Sequence, residues 1–178
     1  MSISYALFSG GSLLIARYVG IISHSELLSR SKQLLQDTSI SPDAQGLADV
    51  RQAIFTETDP ERVRELTELY ADPHRKAEFS KYAILARTFD GQLEKINLFA
   101  AQLGAYGVNT KVFTHLAPAS KWLGLDPFEA EDLIACLPAQ LRFTETLNRH
   151  ARSEHQGSAP SINGRTSQGP RATSDYFW

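Results

Sequence analysis

The stretch KYAILAR, from Lys81 to Arg87, is almost continuously apolar and is bounded by charge at both ends. Such a run is typical of a strand that other elements cover on both faces of a sheet. GLADVR, from Gly46 to Arg51, is another short apolar run that ends in charge, and we interpret it as a second strand. Two strands of this kind predict a sheet buried within an α/β fold.

Helical patterns precede and separate these two strands. Ser23 and Glu26 fit a capping box, and the apolar spacing that follows predicts a helix over residues 25–36. Asp59 at the N-cap and Pro60 at the first helical position begin another helix, because the missing N–H of proline does no harm there. We expect each strand–helix–strand crossover to be right-handed.

The alternation of strands and helices continues after Arg87. Residues 90–107 predict a helix with one apolar face and a C-terminal stop at Gly107. VNTKVF, residues 108–113, predicts the next strand. VFTHLAPASKWLG, residues 112–124, then predicts the end of that strand, a bend, and a short helix closed by a glycine.

Both ends of this region complete the pattern. Apolar runs at residues 3–8 and 13–20 flank a Gly-Gly turn and predict a β-hairpin. Asp126 and Glu129 form a second capping box, and Pro138 interrupts the helix that follows. The order of elements predicts an α/β fold with a single mixed, mostly parallel sheet of about five strands and flanking helices.

The C-terminal part of the chain has a different composition. Residues 139–151 predict one weaker helix, and the chain beyond is rich in Ser, Gly, Pro and Thr. We therefore expect a domain over residues 1–150 and a disordered tail over residues 151–178, because the tail has too few aliphatic side chains to offset the entropy of ordering. Its aromatic end is a candidate for docking on a partner, with an untethered end as the alternative. The residues concerned are Tyr176, Phe177 and Trp178.

The overall composition limits the classes of function. The 178 residues suffice for one domain with a real core, and 42% of them are apolar. A formal net charge of -2 argues against a general nucleic-acid binder. The single cysteine, Cys136, allows no internal disulfide. Because the N-terminal residues lack signal-peptide features and no apolar run approaches the ~20 residues of a membrane span, we expect a cytoplasmic protein.

Three stretches together resemble the STAS-like family, the domain of anti-sigma-factor antagonists. GLADVR resembles its central strand, KYAILAR the next apolar strand, and VFTHLAPASKWLG the closing strand and helix. The likeness covers about residues 3–137. It is closest to a small, stand-alone bacterial branch of this SpoIIAA-like superfamily, which is also grouped with the Sec14-like lipid-binding domains.

The resemblance implies a regulatory loop after the central strand, where N–H groups at a helix N-terminus suit a phosphate. The matching stretch is FTETDPE, residues 55–61, which makes Thr56 and Thr58 candidate phosphorylation sites. The stretch lacks the family's serine and glycine, and Glu57 and Asp59 would repel an added phosphate. Helix capping by Thr58 and Asp59 is the alternative interpretation.

A ligand site is expected at the carboxyl ends of the strands, because open α/β sheets bind ligands there. Cationic and hydroxyl side chains at those ends could hold a small anion or a polar headgroup. The alternative is an ion pair between Asp49 and Arg51 or Arg87 that closes the end of the sheet. The candidate ligand-binding residues are Asp49, Arg51, Arg87, Thr88, Asp90, Thr114 and His115.

Catalytic and metal-binding patterns are weak. A hydrolase built from Ser23, His24 and Asp49 would lack the Gly-x-Ser-x-Gly pattern, and Ser23 already caps a helix. The five histidines are scattered, without metal-ligand spacing. We therefore expect no enzyme, no bound metal and no cofactor.

Two kinds of function follow. The first is a non-catalytic interaction or regulatory module that binds a partner protein, with a small polar ligand at its strand ends. The alternative is a carrier or sensor of a small apolar or lipid-like molecule, as the Sec14-like resemblance implies. An apolar pocket of roughly 300 Å³ or more between helix and sheet would favour this alternative. The sequence leaves a homo-oligomer open.

Overall fold

The computed structural model describes residues 2–72, 74–75, 77–88 and 91–137. Its strands are β1 (Ser2–Phe8), β2 (Leu13–Ile22), β3 (Ala44–Phe55), β4 (Phe79–Leu85) and β5 (Thr110–Phe113). They form one sheet in the order β1-β2-β3-β4-β5. β1 and β2 are antiparallel and the other neighbours are parallel. The predicted mixed, mostly parallel sheet with an N-terminal hairpin is confirmed.

Helices cover both faces of this sheet. In the described chain they are α1 (His24–Leu35), α2 (Pro60–Ala71), α3 (Gln92–Ala105), α4 (Leu116–Leu123) and α5 (Pro127–Cys136). Helices α1, α2 and α3 share one core with Ala48 of β3. Helices α4 and α5 share a second core with Leu47, the preceding residue. Adjacent residues of β3 thus point into different cores, as expected for a strand covered on both faces.

The predicted helix starts are confirmed at their caps. The N–H of Glu26 donates to Ser23 Oγ at 3.3 Å. Asp59 accepts hydrogen bonds from backbone N–H groups at the start of α2, and Asp126 does the same at α5. Gly124 ends α4 at a φ of 75°, a left-handed conformation that glycine adopts without a steric cost.

Strand β3 is longer than the sequence predicted. It continues through Arg51 to Phe55, so the prediction that it ends at Arg51 is wrong. Up to Asp49 it pairs with both β2 and β4, and beyond that point it pairs with β2 alone, because β4 ends at Leu85. In the described chain, the edge of this extension that faces away from β2 has no strand partner. Polar side chains are tolerated at such an edge. The charged Arg51 therefore does not mark the end of β3.

Several predicted features lie outside the described residues and stay predictions. They are Asp90, Pro138, the weaker helix over residues 139–151, and the tail over residues 151–178 with Tyr176, Phe177 and Trp178. In the part of the chain that is described, no helix has the length and apolar character needed to cross a membrane.

Candidate ligand-binding pocket

Asp49 and Arg51 of β3 form an ion pair with each other. The guanidinium Nε and Nη2 atoms each donate to a carboxylate oxygen at 2.9 Å. The backbone N–H of Arg51 donates to Asp49 Oδ1 at 3.1 Å. The hydrogen bond to Asp49 raises the pKa of Arg51, and Asp49 is only 4% exposed. The ion pair considered as the alternative is therefore present, and a ligand-binding role for these two residues stays a prediction.

This ion pair lies on the face of the sheet that α4 and α5 cover. Leu47 packs in that core, and side chains two positions apart in a regular strand share a face. Arg51 also interacts electrostatically with Glu131 of α5. Asp49 and Arg51 are thus directed away from α1, α2 and α3.

The other described candidates do not join this pair. Arg87 and Thr88 are exposed just beyond β4. Thr114 Oγ1 and His115 Nδ1 lie 3.0 Å apart, so these two side chains bond to each other after β5. Within the described ranges, no hydrogen bond or ion pair links any of the four to Asp49. The strand-end residues that the sequence groups together therefore do not form one hydrogen-bonded cluster.

An apolar pocket lies between the sheet and helices α1, α2 and α3. Its volume is about 90 Å³. The small Ala48 side chain of β3 leaves space beneath the helices, and the surrounding side chains are mostly aliphatic or aromatic. The aromatic members are Tyr18, Phe55, Tyr70, Tyr82 and Phe99. A mainly apolar lining with a few polar groups is typical of small-molecule sites.

The pocket lies toward the carboxyl ends of β2 and β3. Val50 and Phe55 line it from the extension of β3, while Gln92 and Lys95 line it from the first turn of α3. Open α/β sheets bind ligands at this end. The pocket is therefore at the end of the sheet that the sequence pointed to, but on the face opposite to Asp49.

Three tyrosines, Tyr18, Tyr70 and Tyr82, line the pocket. Tyr18 and Tyr82 interact electrostatically with each other, and Tyr70 interacts with Ser31 of α1. Burial raises the pKa of Tyr18 to about 12, and it raises the pKa values of Tyr70 and Tyr82 as well. The hydroxyls of these tyrosines are neutral near pH 7, and their surroundings disfavour negative charge.

The mouth of the pocket is polar. Lys95 Nζ donates to Thr58 Oγ1 at 2.6 Å. The N–H of Phe55 donates to Gln92 Oε1 at 3.0 Å. Thr58, Gln92 and Lys95 all line the pocket. Lys95 is exposed, and among the residues described no carboxylate forms an ion pair with it.

The two phosphorylation candidates differ in their surroundings. Thr56 is exposed, and its hydroxyl donates to the carbonyl oxygen of Ile22 at 3.4 Å. Thr58 is half-buried and receives the hydrogen bond from Lys95. Asp59 caps α2 on its own. Phosphorylation of either threonine stays a prediction.

Sequence reasoning did not identify the pocket. No pattern in the sequence indicated a ligand-binding role for Tyr18, Tyr70, Tyr82 or Lys95. The sequence did contain one signal of a polar interior, namely tyrosine instead of phenylalanine at inward-facing positions. A buried tyrosine hydroxyl requires a hydrogen-bond partner, so such positions indicate polar groups in the core.

His24 links two helices. Its Nε2 atom lies 2.8 Å from Oε2 of Glu65, which joins α1 to α2. Since Asp49 is bonded to Arg51, the Ser23–His24–Asp49 arrangement is not formed. No group of three or more His, Cys, Asp or Glu side chains that could hold a metal ion occurs in the described ranges.

Similarity to known proteins is limited. The chain is similar to an uncharacterised protein of the DUF3478 family with a SpoIIAA-like fold from Shewanella loihica PV-4. The identity is 16%, the TM-score is 0.44, and the match covers 68% of this chain and 92% of that one. The chain matches no protein-family model and no curated protein sequence. Similarity at this level says nothing about activity. The mixed, mostly parallel five-stranded sheet predicted from the sequence is confirmed by the order and directions of the strands themselves.

Proposed function

We propose that this chain is a non-catalytic module that binds a small, mainly apolar molecule between the sheet and helices α1, α2 and α3. The observation that carries this proposal is the pocket of about 90 Å³ at the carboxyl ends of β2 and β3. It combines an apolar interior with a polar mouth, which is the usual construction of a site that both holds and orients a ligand.

The chemistry of the lining supports binding rather than catalysis. No histidine, cysteine, aspartate or glutamate is present among the described residues that line the pocket. Those side chains are among the usual general acids, bases and nucleophiles. The raised pKa values of Tyr18, Tyr70 and Tyr82 keep their hydroxyls neutral, so these groups are poor bases near pH 7.

The volume of the pocket limits the size of the ligand. One water needs roughly 10–15 Å³, and an engineered cavity of roughly 150 Å³ in another protein binds benzene. A pocket of about 90 Å³ therefore suits a molecule no larger than a single ring, with some side-chain adjustment. Drug-sized ligands occupy roughly 300 Å³ or more. The pocket does not reach the roughly 300 Å³ that would favour a carrier of a lipid-like molecule. The proposed ligand is therefore a small apolar molecule and not an acyl chain.

A pocket-filling variant tests this proposal. Ala48→Leu places a larger side chain in the pocket, whereas Ala101→Leu adds the same side chain at an exposed position of α3. We expect toluene to cause saturable NMR shifts at the methyl groups of Val50 and Ile84 in the wild-type protein and in Ala101→Leu, but not in Ala48→Leu. No shifts in the wild-type protein, or the same shifts in Ala48→Leu, would contradict the proposal.

A second candidate function is binding of a partner protein. Ile21 and Ile54 are 63% and 51% exposed and are register partners on the extension of β2 and β3. Adjacent exposed apolar side chains favour a contact surface. Cross-linking in the host tests this function. A specific partner should no longer be recovered with the double variant Ile21→Thr/Ile54→Thr. It should still be recovered with Leu98→Thr, which changes another exposed apolar position. Equal recovery with both variants would count against it. A regulatory role and a cytoplasmic location stay predictions.

A further inference from the structure

The mouth of the pocket holds more hydrogen-bond donors than acceptors. Lys95 has three N–H groups and uses one of them on Thr58. The Thr58 hydroxyl accepts this bond and keeps its own proton for another acceptor. Gln92 uses its amide oxygen on the N–H of Phe55, and its NH₂ group has no hydrogen-bond partner within the described chain. A ligand group with several acceptor oxygens matches this set of donors.

Among the described residues no carboxylate forms an ion pair with Lys95 at the mouth, although Glu57 and Asp59 flank Thr58 along the chain. Arg51, Arg62 and Arg64 each pair with a carboxylate, whereas Lys95 bonds only to a neutral hydroxyl. Lys95 lies in the first turn of α3, where the helix dipole adds positive potential. An anionic group at the mouth would pair with Lys95, and this attraction must exceed the repulsion from Glu57 and Asp59.

The interior of the pocket selects a different kind of group. Its raised tyrosine pKa values indicate surroundings that disfavour a negative charge, so a charged group belongs at the mouth. The lining contains two edge-to-face ring pairs, Tyr18 with Phe55 at 6.2 Å and Tyr70 with Phe99 at 6.1 Å between centroids. A flat aromatic ligand extends this type of packing.

We propose that the pocket binds a small aromatic carboxylate, with its ring among the aromatic side chains and its carboxylate on Lys95, Thr58 and Gln92. This inference rests on the proposed function and adds to it the class of ligand. Lys95 is then the residue that determines specificity for an anion over a neutral molecule of the same shape.

Two probes and two lysine variants test this inference. Benzoate and benzyl alcohol have similar size and differ in charge. Lys95→Met removes the charge and keeps most of the side-chain length, and Lys121→Met removes an exposed charge from α4 on the opposite face of the sheet. We expect the wild-type protein and Lys121→Met to bind benzoate about tenfold more tightly than benzyl alcohol, as measured by NMR titration. In Lys95→Met the two affinities should be equal.

The outcomes separate this inference from the proposed function. Equal affinity for both probes in the wild-type protein, or an unchanged preference in Lys95→Met, overturns the inference and leaves the proposed function standing. Failure of toluene, benzoate and benzyl alcohol alike to bind overturns both. If Ala48→Leu binds benzoate as well as the wild-type protein does, benzoate binds outside the pocket. This result also overturns the inference. Circular dichroism spectra check that both lysine variants are folded.

Discussion

Gly46 of β3 is the position where one added methyl group should disturb both the fold and the pocket. Tyr82 of β4 is its register partner. A Cβ atom at Gly46 would lie 2.4 Å from Cδ2 and 2.6 Å from Cε2 of the Tyr82 ring. Ordinary contact begins near 3.4 Å, so Gly46→Ala requires the ring to move by about 1 Å.

The surroundings of Tyr82 set the cost of this movement. Tyr82 is 3% exposed, its ring packs edge-to-face on Phe79 at 5.2 Å, and it interacts electrostatically with Tyr18. Overpacking a well-packed core costs about 1–3 kcal/mol, and replacing a strand glycine recovers about 0.5–1 kcal/mol of backbone entropy. We therefore expect Gly46→Ala to lower the free energy of unfolding by about 1–2 kcal/mol, and Tm by about 2–8 °C.

Urea denaturation of four proteins measures this effect: the wild type, Gly46→Ala, Tyr82→Leu and the double variant. Because Tyr82→Leu removes the ring, the glycine substitution should cost less in its presence, with a coupling energy of about 1 kcal/mol. Gly104→Ala is the control, since a Cβ there meets no atom within 4 Å. This control lies in α3 and should raise stability by about 0.5–1 kcal/mol.

Two results would refute this reasoning. One is a Gly46→Ala protein as stable as the wild type, and the other is strict additivity with Tyr82→Leu. Because Tyr82 also lines the pocket, displacement of its ring should weaken toluene binding in Gly46→Ala as well.

Three further predictions concern the tyrosines, a helix cap and the ion pair. The raised pKa values of Tyr18, Tyr70 and Tyr82 mean that their contribution to stability is complete below the ordinary tyrosine pKa of 10.0 and is lost as pH rises above it. Thermal melts at pH 9 and pH 11, with absorbance of tyrosinate, should show this loss, and equal stability at both pH values would contradict it. Asp126→Ala removes the cap of α5 and should cost about 1 kcal/mol in urea unfolding, whereas Asp126→Asn should retain most of it. Arg51→Met leaves a buried carboxylate without its guanidinium partner and should cost about 1–3 kcal/mol, while toluene affinity stays unchanged. A loss of toluene affinity in this variant would mean that the ion pair contributes to the pocket.

The helix starts and most strands could be predicted from the sequence because their causes are local. The caps at Ser23, Asp59 and Asp126 bond to N–H groups two or three residues away. Apolar runs bounded by charge or glycine likewise identify strands without knowledge of their neighbours. The end of β3 could not be predicted in this way, since it depends on where its pairing partner β2 stops and not on the residues of β3 alone.

The sequence by itself therefore determined the order and type of the elements. It also pointed to the end of the sheet, at the carboxyl ends of the strands, where a ligand site is expected. Only the tertiary structure decided which face of that end holds a pocket. Tyr18, Tyr70 and Phe99 come from β2, α2 and α3, and no local pattern relates them. Asp49 faces the opposite core because side chains alternate along a strand, and packing assigns the two faces to different helices.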